Sequence, residues 1–189
     1  MKRFLVIING LGGVGKSEFI DRCLFCSFHT KEKTMIEECS IVDFVKRIAC
    51  GCGWKWTKEA KDRVFLSDLK KALEKWNDIP YEKTIEEIDK IWNFMECHGC
   101  KYGVIFVNSR EEKDIERFYK DASIYGATPI KLYVSSSRIK VNEVPDLIEE
   151  INRFANKSDY HIKNDGSISE LEKSAEQFMK DVIGVEFDV

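Results

Sequence analysis

The residues best equipped for chemistry lie together near the amino terminus, in Gly10-Leu-Gly-Gly-Val-Gly15-Lys16-Ser17. Glycine has no Cβ, so a loop rich in it can turn through dihedrals closed to other residues and point successive N–H groups into one cavity. Such a cavity takes anionic oxygens. Lys16 adds a compact positive charge on a long stem, and Ser17 adds a hydroxyl able to ligate a hard cation. A helix opening at Lys16 would turn the positive end of its dipole toward the same point. Taken together, these groups suit a magnesium-bound triphosphate. Gly10, Leu11, Gly12, Gly13, Val14, Gly15, Lys16, Ser17 and Glu18 are the expected contacts of ATP, with Lys16 on the β- and γ-phosphates and Ser17 on Mg²⁺.

The same stretch also satisfies a dinucleotide-binding fingerprint, Gly10-x-Gly12-x-x-Gly15. Glu37 and Glu38 then fall about twenty residues on, where an acid would meet a ribose. That fingerprint does not ask for Lys-Ser directly after its last glycine, whereas the triphosphate loop requires it. Context favours the triphosphate as well, because the loop stands between a strand pattern and a helix pattern.

The elements that must position this loop follow from hydrophobic periodicity. Phe4–Ile8 is an unbroken apolar run, as a strand buried on both faces requires. Lys16–Phe25 reads as a helix, Thr34–Val42 as a strand and Asp43–Ala49 as a short helix. Lys58–Trp76 places Val64, Phe65, Leu69, Ala72, Leu73 and Trp76 at helical spacing. Pro80 opens a further helix with Ile85, Ile88, Ile91, Trp92 and Met95 along one side. Tyr102–Val107 is a second buried-strand run, followed by the amphipathic Glu111–Tyr125 with Ile115, Phe118 and Ala122 inward. Ile130–Val134 and Tyr160–Ile162 read as strands on either side of a helix over Asp146–Phe154. Ser167 and Glu170 form a capping-box pair for a last helix with Leu171, Ala175, Phe178, Met179 and Val182 inward. Strands alternating with helices imply an α/β chain in three layers, a five-stranded parallel sheet covered by helices on both faces. Residues 1–189 then form one domain, with a helical insertion over about 43–100 and a short lid over about 135–142.

Composition narrows the partners. The 30 basic and 33 acidic residues nearly cancel, leaving a net charge of −3 and no basic excess for nucleic acid. Small nucleotides are the expected partners, and a monomer or homodimer the expected assembly. Neither a secretory leader nor a run long enough to span a bilayer is legible, so a cytoplasmic protein without membrane contact is expected. The seven cysteines then read as reduced thiols. Cys23-x-x-Cys26 and Cys97-x-x-Cys100 have the spacing of zinc ligands, but about seventy residues separate the pairs. Cys23 and Cys26 also fall in the helix after the glycine loop, where thiols three apart usually face a core. His29, His98 and His161 have no spacing that suggests a base or a metal set. Trp54, Trp56, Trp76 and Trp92 read as core of the helical insertion, with stacking of one of them on an acceptor base as the alternative.

Three segments resemble the small P-loop nucleotide kinases, particularly the phage-type deoxynucleoside monophosphate kinases. They are the glycine loop, the stretch Asp43-Phe-Val-Lys-Arg-Ile-Ala49 with Thr57-Lys-Glu-Ala-Lys-Asp-Arg63-Val-Phe-Leu-Ser67-Asp68, and the ending Tyr160-His-Ile-Lys-Asn164-Asp165-Gly166-Ser. The resemblance implies a P-loop NTPase fold and ATP-dependent phosphoryl transfer to a nucleoside or deoxynucleoside monophosphate. It implies an acceptor region over Asp43–Asn77, with Asp43, Lys61, Arg63, Ser67 and Asp68 toward the monophosphate. Arg110 would grip the transferring phosphate, Arg138 would belong to the lid, and Asn164 and Gly166 would lie near the donor base. Where such kinases commonly carry an acid at the strand end, here after Tyr102–Val107, this chain has Asn108, which adds no negative charge. A P-loop nucleotide-binding protein or NTP hydrolase without an acceptor, and a small-metabolite kinase on the same scaffold, are the alternatives.

Overall fold

The computed structural model describes residues 1–57, 59–139 and 145–188, with only the backbone of residue 60 and of residues 145–147. Five strands form one parallel sheet: β1 (Lys2–Asn9), β2 (Thr34–Ser40), β3 (Tyr102–Asn108), β4 (Ala127–Ser135) and β5 (Tyr160–Lys163), in the order β2-β3-β1-β4-β5. Seven α-helices are described: α1 (Lys16–Ser27), α2 (Asp43–Gly51), α3 (Ala60–Asn77), α4 (Ile79–Cys97), α5 (Glu112–Asp121), α6 (Pro145–Asn156) and α7 (Ile168–Phe178). This is the expected α/β architecture, with α2, α3 and α4 as the insertion between β2 and β3.

The central strand shows why. Side chains alternate across a sheet, and in β1 both faces are buried. Val6 and Ile8 join a core with Phe19, Cys23 and Cys26 of α1 and Phe178 of α7. Leu5 and Ile7 join the opposite core with Ile88, Trp92 and Met95 of α4 and Ile115 and Phe118 of α5. The cysteine pairs divide the same way, Cys23 and Cys26 in the first core and Cys100 in the second, so one ion cannot gather both. Burial holds the Cys26 thiol up at about 11 and that of Cys23 well above its ordinary value, which keeps both protonated and inert.

Several boundaries moved, each for a local reason. β2 stops at Ser40 because the Asp43 carboxylate accepts the Ser40 N–H at 2.8 Å and turns the chain into α2. The long helix expected over Glu111–Tyr125 tightens after Asp121 into a 3₁₀ turn over Ala122–Tyr125, ended by Gly126 at φ 61°. Residues 140–142 of the expected lid, and Lys58 at the expected start of α3, lie outside the described residues.

The largest departure is α3. Helical spacing placed Val64, Phe65 and Trp76 on its core face, yet they are 60%, 40% and 81% exposed. Trp56 is exposed as well, so only Trp92 of the four tryptophans is fully buried in core. The inner stripe of α3 carries Lys70 and Asp62 instead. Lys70 Nζ lies 2.9 Å from Glu74 and 3.2 Å from Asp114, and it also pairs with Glu111. The Lys70 side chain is 8% exposed and that of Asp114 2%, so α3 docks on α5 through an ion cluster. Burial works against the ammonium, but Glu111, Glu74 and Asp114 outweigh it and raise its pKa. Among the described residues, Glu74, Glu111 and Asp114 are the group able to hold a metal, and Lys70 already supplies the cation there.

Replacing Lys70 by methionine removes that cation while keeping an unbranched side chain only one atom shorter. Breaking one half of a buried ion cluster costs roughly 3–5 kcal/mol, and urea unfolding of Lys70→Met is expected to show a loss of this size. Because the folded pKa is raised, the wild-type contribution is complete below about pH 10.4 and is lost only as pH rises beyond that value.

Candidate functional site

The glycine loop leaves the carboxyl end of β1, with β3 on one side and β4 on the other. Asn9 ends the strand, and its side-chain oxygen accepts the Gly10 N–H at 2.6 Å. Gly10 has φ 148°, and a Cβ there would overlap the backbone oxygen of Val134 in β4. The loop therefore presses against β4 with backbone alone. Gly15 stands as the N-cap of α1 in the left-handed region, φ 91°, and no side chain caps the helix. The first turn of α1 thus presents its amides and the positive end of its dipole on the loop side. Lys16 Nζ donates to the carbonyls of Gly10 at 2.8 Å and Leu11 at 2.9 Å, which sets the ammonium across the curl. Val14 is buried and anchors the loop, while Ser17 is exposed on the first turn of the helix. Glu18, next along, pairs with Arg22 at 3.1 Å.

A second segment supports this loop from far along the chain. Asn164 Nδ2 donates to the Val14 carbonyl at 2.9 Å, and Asn164 N–H donates to the Ser135 carbonyl at 2.8 Å. The same amide fills the space that a Cβ on Gly15 would need. Asp165 accepts the Ser137 N–H at 2.6 Å and the Ser136 hydroxyl at 3.3 Å, and Lys163 lies 3.2 Å away. These contacts, the Ser137 amide foremost, hold the Asp165 carboxyl down at about 2. Arg138 donates to the Asp165 carbonyl, and the Ile139 side chain packs at Gly13. Asn164, Gly166, Arg138 and the glycine loop therefore share one corner of the molecule.

Arg110 stands elsewhere. It is exposed at the corner between β3 and α5, where with Glu112, Glu116, Lys131 and Lys157 it lines a small cavity under α6. Lys61, Arg63, Ser67 and Asp68 are exposed along α3, and Lys61 pairs with Glu59 at 2.9 Å.

A cleft of about 620 Å³ opens beside the carboxyl end of β2, walled by α2, α4 and Trp56. Asp43 lines it; Lys61, Arg63, Ser67 and Asp68 do not. Phe44, Trp56 and Phe94 give it aromatic surface, and Arg47, Lys83 and Lys90 give it positive charge. Glu37, Glu38, Asp43 and Glu87 bring carboxylates. Periodicity held a usable signal for part of this set. Lys83, Glu87, Lys90 and Phe94 follow one another at steps of three and four, on the side of α4 away from the buried Ile88, Trp92 and Met95. Trp56 carried no such signal, since its placement depends on a left-handed backbone, φ 60°.

Glu38 was weighed in the sequence only as a ribose acid. In the structure Asn108 Nδ2 donates to it across the β2–β3 pair. Partial burial of the carboxylate raises its pKa against that hydrogen bond, and Asp43 and Asp21 push the same way. Below the glycine loop, Asn9 Nδ2 and Ser109 Oγ are buried polar atoms with no partner among the described residues.

No protein-family model and no curated protein matches the sequence. Solved structures match over nearly the whole chain. The tunicamycin resistance protein of Deinococcus radiodurans is 8% identical, with 100% of this chain and 99% of that chain covered, at a TM-score of 0.55. The APS kinase of Mycobacterium tuberculosis in complex with AMPPNP and APS is 10% identical, covering 95% of this chain and 99% of that chain, at 0.47. Shikimate kinase from Aquifex aeolicus is 11% identical, covering 96% and 99%, at 0.46. Identities this low speak to fold alone, here a three-layer α/β fold around a five-stranded parallel sheet. Among the described residues no helix is long and apolar enough to cross a membrane.

Asn164→Ala leaves the Val14 carbonyl without its donor. About 1 kcal/mol of stability is expected to go with it, together with weaker binding of magnesium nucleotide in a titration. Asp165, whose carboxyl is depressed in the folded chain, contributes stability above its unfolded value near 3.9 and loses it as pH falls toward 2. The Ser137 amide resonance should therefore titrate in that window, and Asp165→Asn should remove the titration.

Proposed function

We propose that the chain is an ATP-dependent phosphotransferase whose acceptor is a nucleoside or deoxynucleoside monophosphate held in the cleft beside β2. One observation carries the reading. A loop shaped for a polyphosphate and a separate roomy cleft open at the carboxyl end of one parallel sheet, at β1 and β2 with β3 between them, where ligands gather in open α/β sheets. A hydrolase needs the loop but has no use for the cleft.

The residues divide the work by charge and shape. Lys16 and the first-turn amides of α1 hold the β- and γ-phosphates and meet the charge that spreads over the equatorial oxygens. Ser17 fits a magnesium ligand, an exposed hydroxyl on the first turn of α1. When bound, the ion neutralises charge between the β- and γ-phosphates. Phe44, Trp56 and Phe94 can stack on a base, while Arg47, Lys83 and Lys90 attract the acceptor phosphate. An ionised phosphate oxygen is already a nucleophile, so this transfer needs no strong base. Arg138 hangs from the turn that supports the loop, and closing over the nucleotide would bring it to the donor phosphates. Arg110, Lys61, Arg63, Ser67 and Asp68 stay candidates for contacts made only after such closure.

The four carboxylates of the cleft favour one second reading, a small acceptor bearing hydroxyl groups on the same scaffold.

ADP release from ATP, measured with each nucleoside and deoxynucleoside monophosphate in turn, tests the proposal. Turnover is expected only when one acceptor is present, and steady hydrolysis indifferent to all of them would reject it. Lys16→Ala is expected to lower turnover at least 10²-fold without shifting the melting temperature. Near-normal turnover in that variant would remove the loop from the mechanism.

A further inference from the structure

Glu38 stands where the two sites meet. It lines the cleft, and it also lies within electrostatic reach of Asp21, which sits one turn after Ser17 on the same side of α1. The neighbouring strand β3 ends in Asn108, a neutral amide that donates to the Glu38 carboxylate. The Ser40 hydroxyl in turn donates to the Asn108 carbonyl at 3.3 Å, so the two strand ends are tied together. An amide donor holds a carboxylate in place without neutralising it.

The charge around Glu38 points the same way. Asp43 and Asp21 are carboxylate neighbours that act on it, and Lys46 acts the other way. That ammonium lies 2.9 Å from Asp43, so its charge is shared between the two carboxylates. The other acidic group, Glu74, Glu111 and Asp114, already holds the ammonium of Lys70, with Lys113 beside it.

We propose that Glu38 is the carboxylate that positions magnesium at the nucleotide site, so that β2 supplies the negative charge absent from the end of β3. The inference rests on the reading of residues 10–17 as a triphosphate site. It adds a residue outside the glycine loop and assigns Asn108 the task of orienting it. A hard cation held partly through its waters accepts such an arrangement, because one or two protein oxygens suffice beside the phosphates.

The test uses Mn²⁺ as the probe, bound to the protein–nucleotide complex and followed by electron paramagnetic resonance. Nucleotide affinity without metal is measured in parallel in EDTA. Glu38→Gln is expected to weaken Mn²⁺ binding tenfold or more, as loss of an orienting oxygen near a metal does, and to leave metal-free affinity and melting unchanged. Adding Asn108→Asp in the same chain should restore most of the Mn²⁺ affinity, because amide and carboxylate have then exchanged strands. Wild-type Mn²⁺ affinity in Glu38→Gln would overturn the proposal, as would a double variant no better than the single one. A fall in turnover with unchanged Mn²⁺ affinity would also overturn it, assigning Glu38 to the acceptor. Absence of metal-free nucleotide binding in the wild type would strike the triphosphate site itself, a failure read in a separate arm.

Discussion

The site depends on a backbone passing so close to a neighbouring strand that no side chain fits between them. At Gly10 the chain leaves β1 against the Val134 carbonyl of β4, and a Cβ would collide with that oxygen. Everything downstream inherits this geometry. The tight exit lets the chain curl through Gly13 and Gly15 at positive φ and enter α1 without a capping side chain. The N–H groups that an ordinary helix would satisfy with serine or aspartate are thereby directed at the loop. The glycines are needed for close approach as much as for flexibility. Two separate elements, β4 and the Asn164 turn, occupy the space that larger residues would take.

That second element links the beginning of the chain to its end. Asn164 holds the Val14 carbonyl with its side chain and the Ser135 carbonyl with its own backbone, so one residue joins the loop, the end of β4 and the end of β5. Arg138 and Ile139 grow out of the same knot. A segment that closed over a nucleotide here would move against a fixed support, which is how a short loop can deliver a cation with little loss of entropy at the moment of transfer.

The sheet and the loop were legible because they follow from short-range rules. Phe4–Ile8 and Tyr102–Val107 could only be strands buried on both faces, and Gly10–Ser17 could be read from spacing alone. What the sequence hid was of another kind. In α3 a helical period was present, but the chain buries the stripe with Lys70 and exposes Val64 and Trp76. No local pattern announces that choice, since the three carboxylates that receive Lys70 come partly from α5, some forty residues away. The cleft was hidden for a similar reason. Its walls come from β2, α2, a left-handed turn at Trp56 and the outer side of α4, and only folding brings them together. The resemblance set its acceptor region from Asp43, which lines the cleft, while the charged residues it singled out on α3 lie outside it.

Asn108 shows how a departure from pattern is to be weighed. Read along the chain, an amide at a strand end is a missing charge. Read across the sheet, it is half of a pair, because Ser40 and Asn108 stand in register and Glu38 reaches up from one pleat below. In a parallel sheet the carboxyl ends of adjacent strands are about 5 Å apart, a distance one glutamate side chain spans. A charge can therefore change strands while its position near the phosphates changes little. The proposed transfer would call for negative charge at a place in space, and the sheet leaves open which strand provides it. Here the added length of glutamate, and an amide to hold it, make the provision from β2 sterically possible.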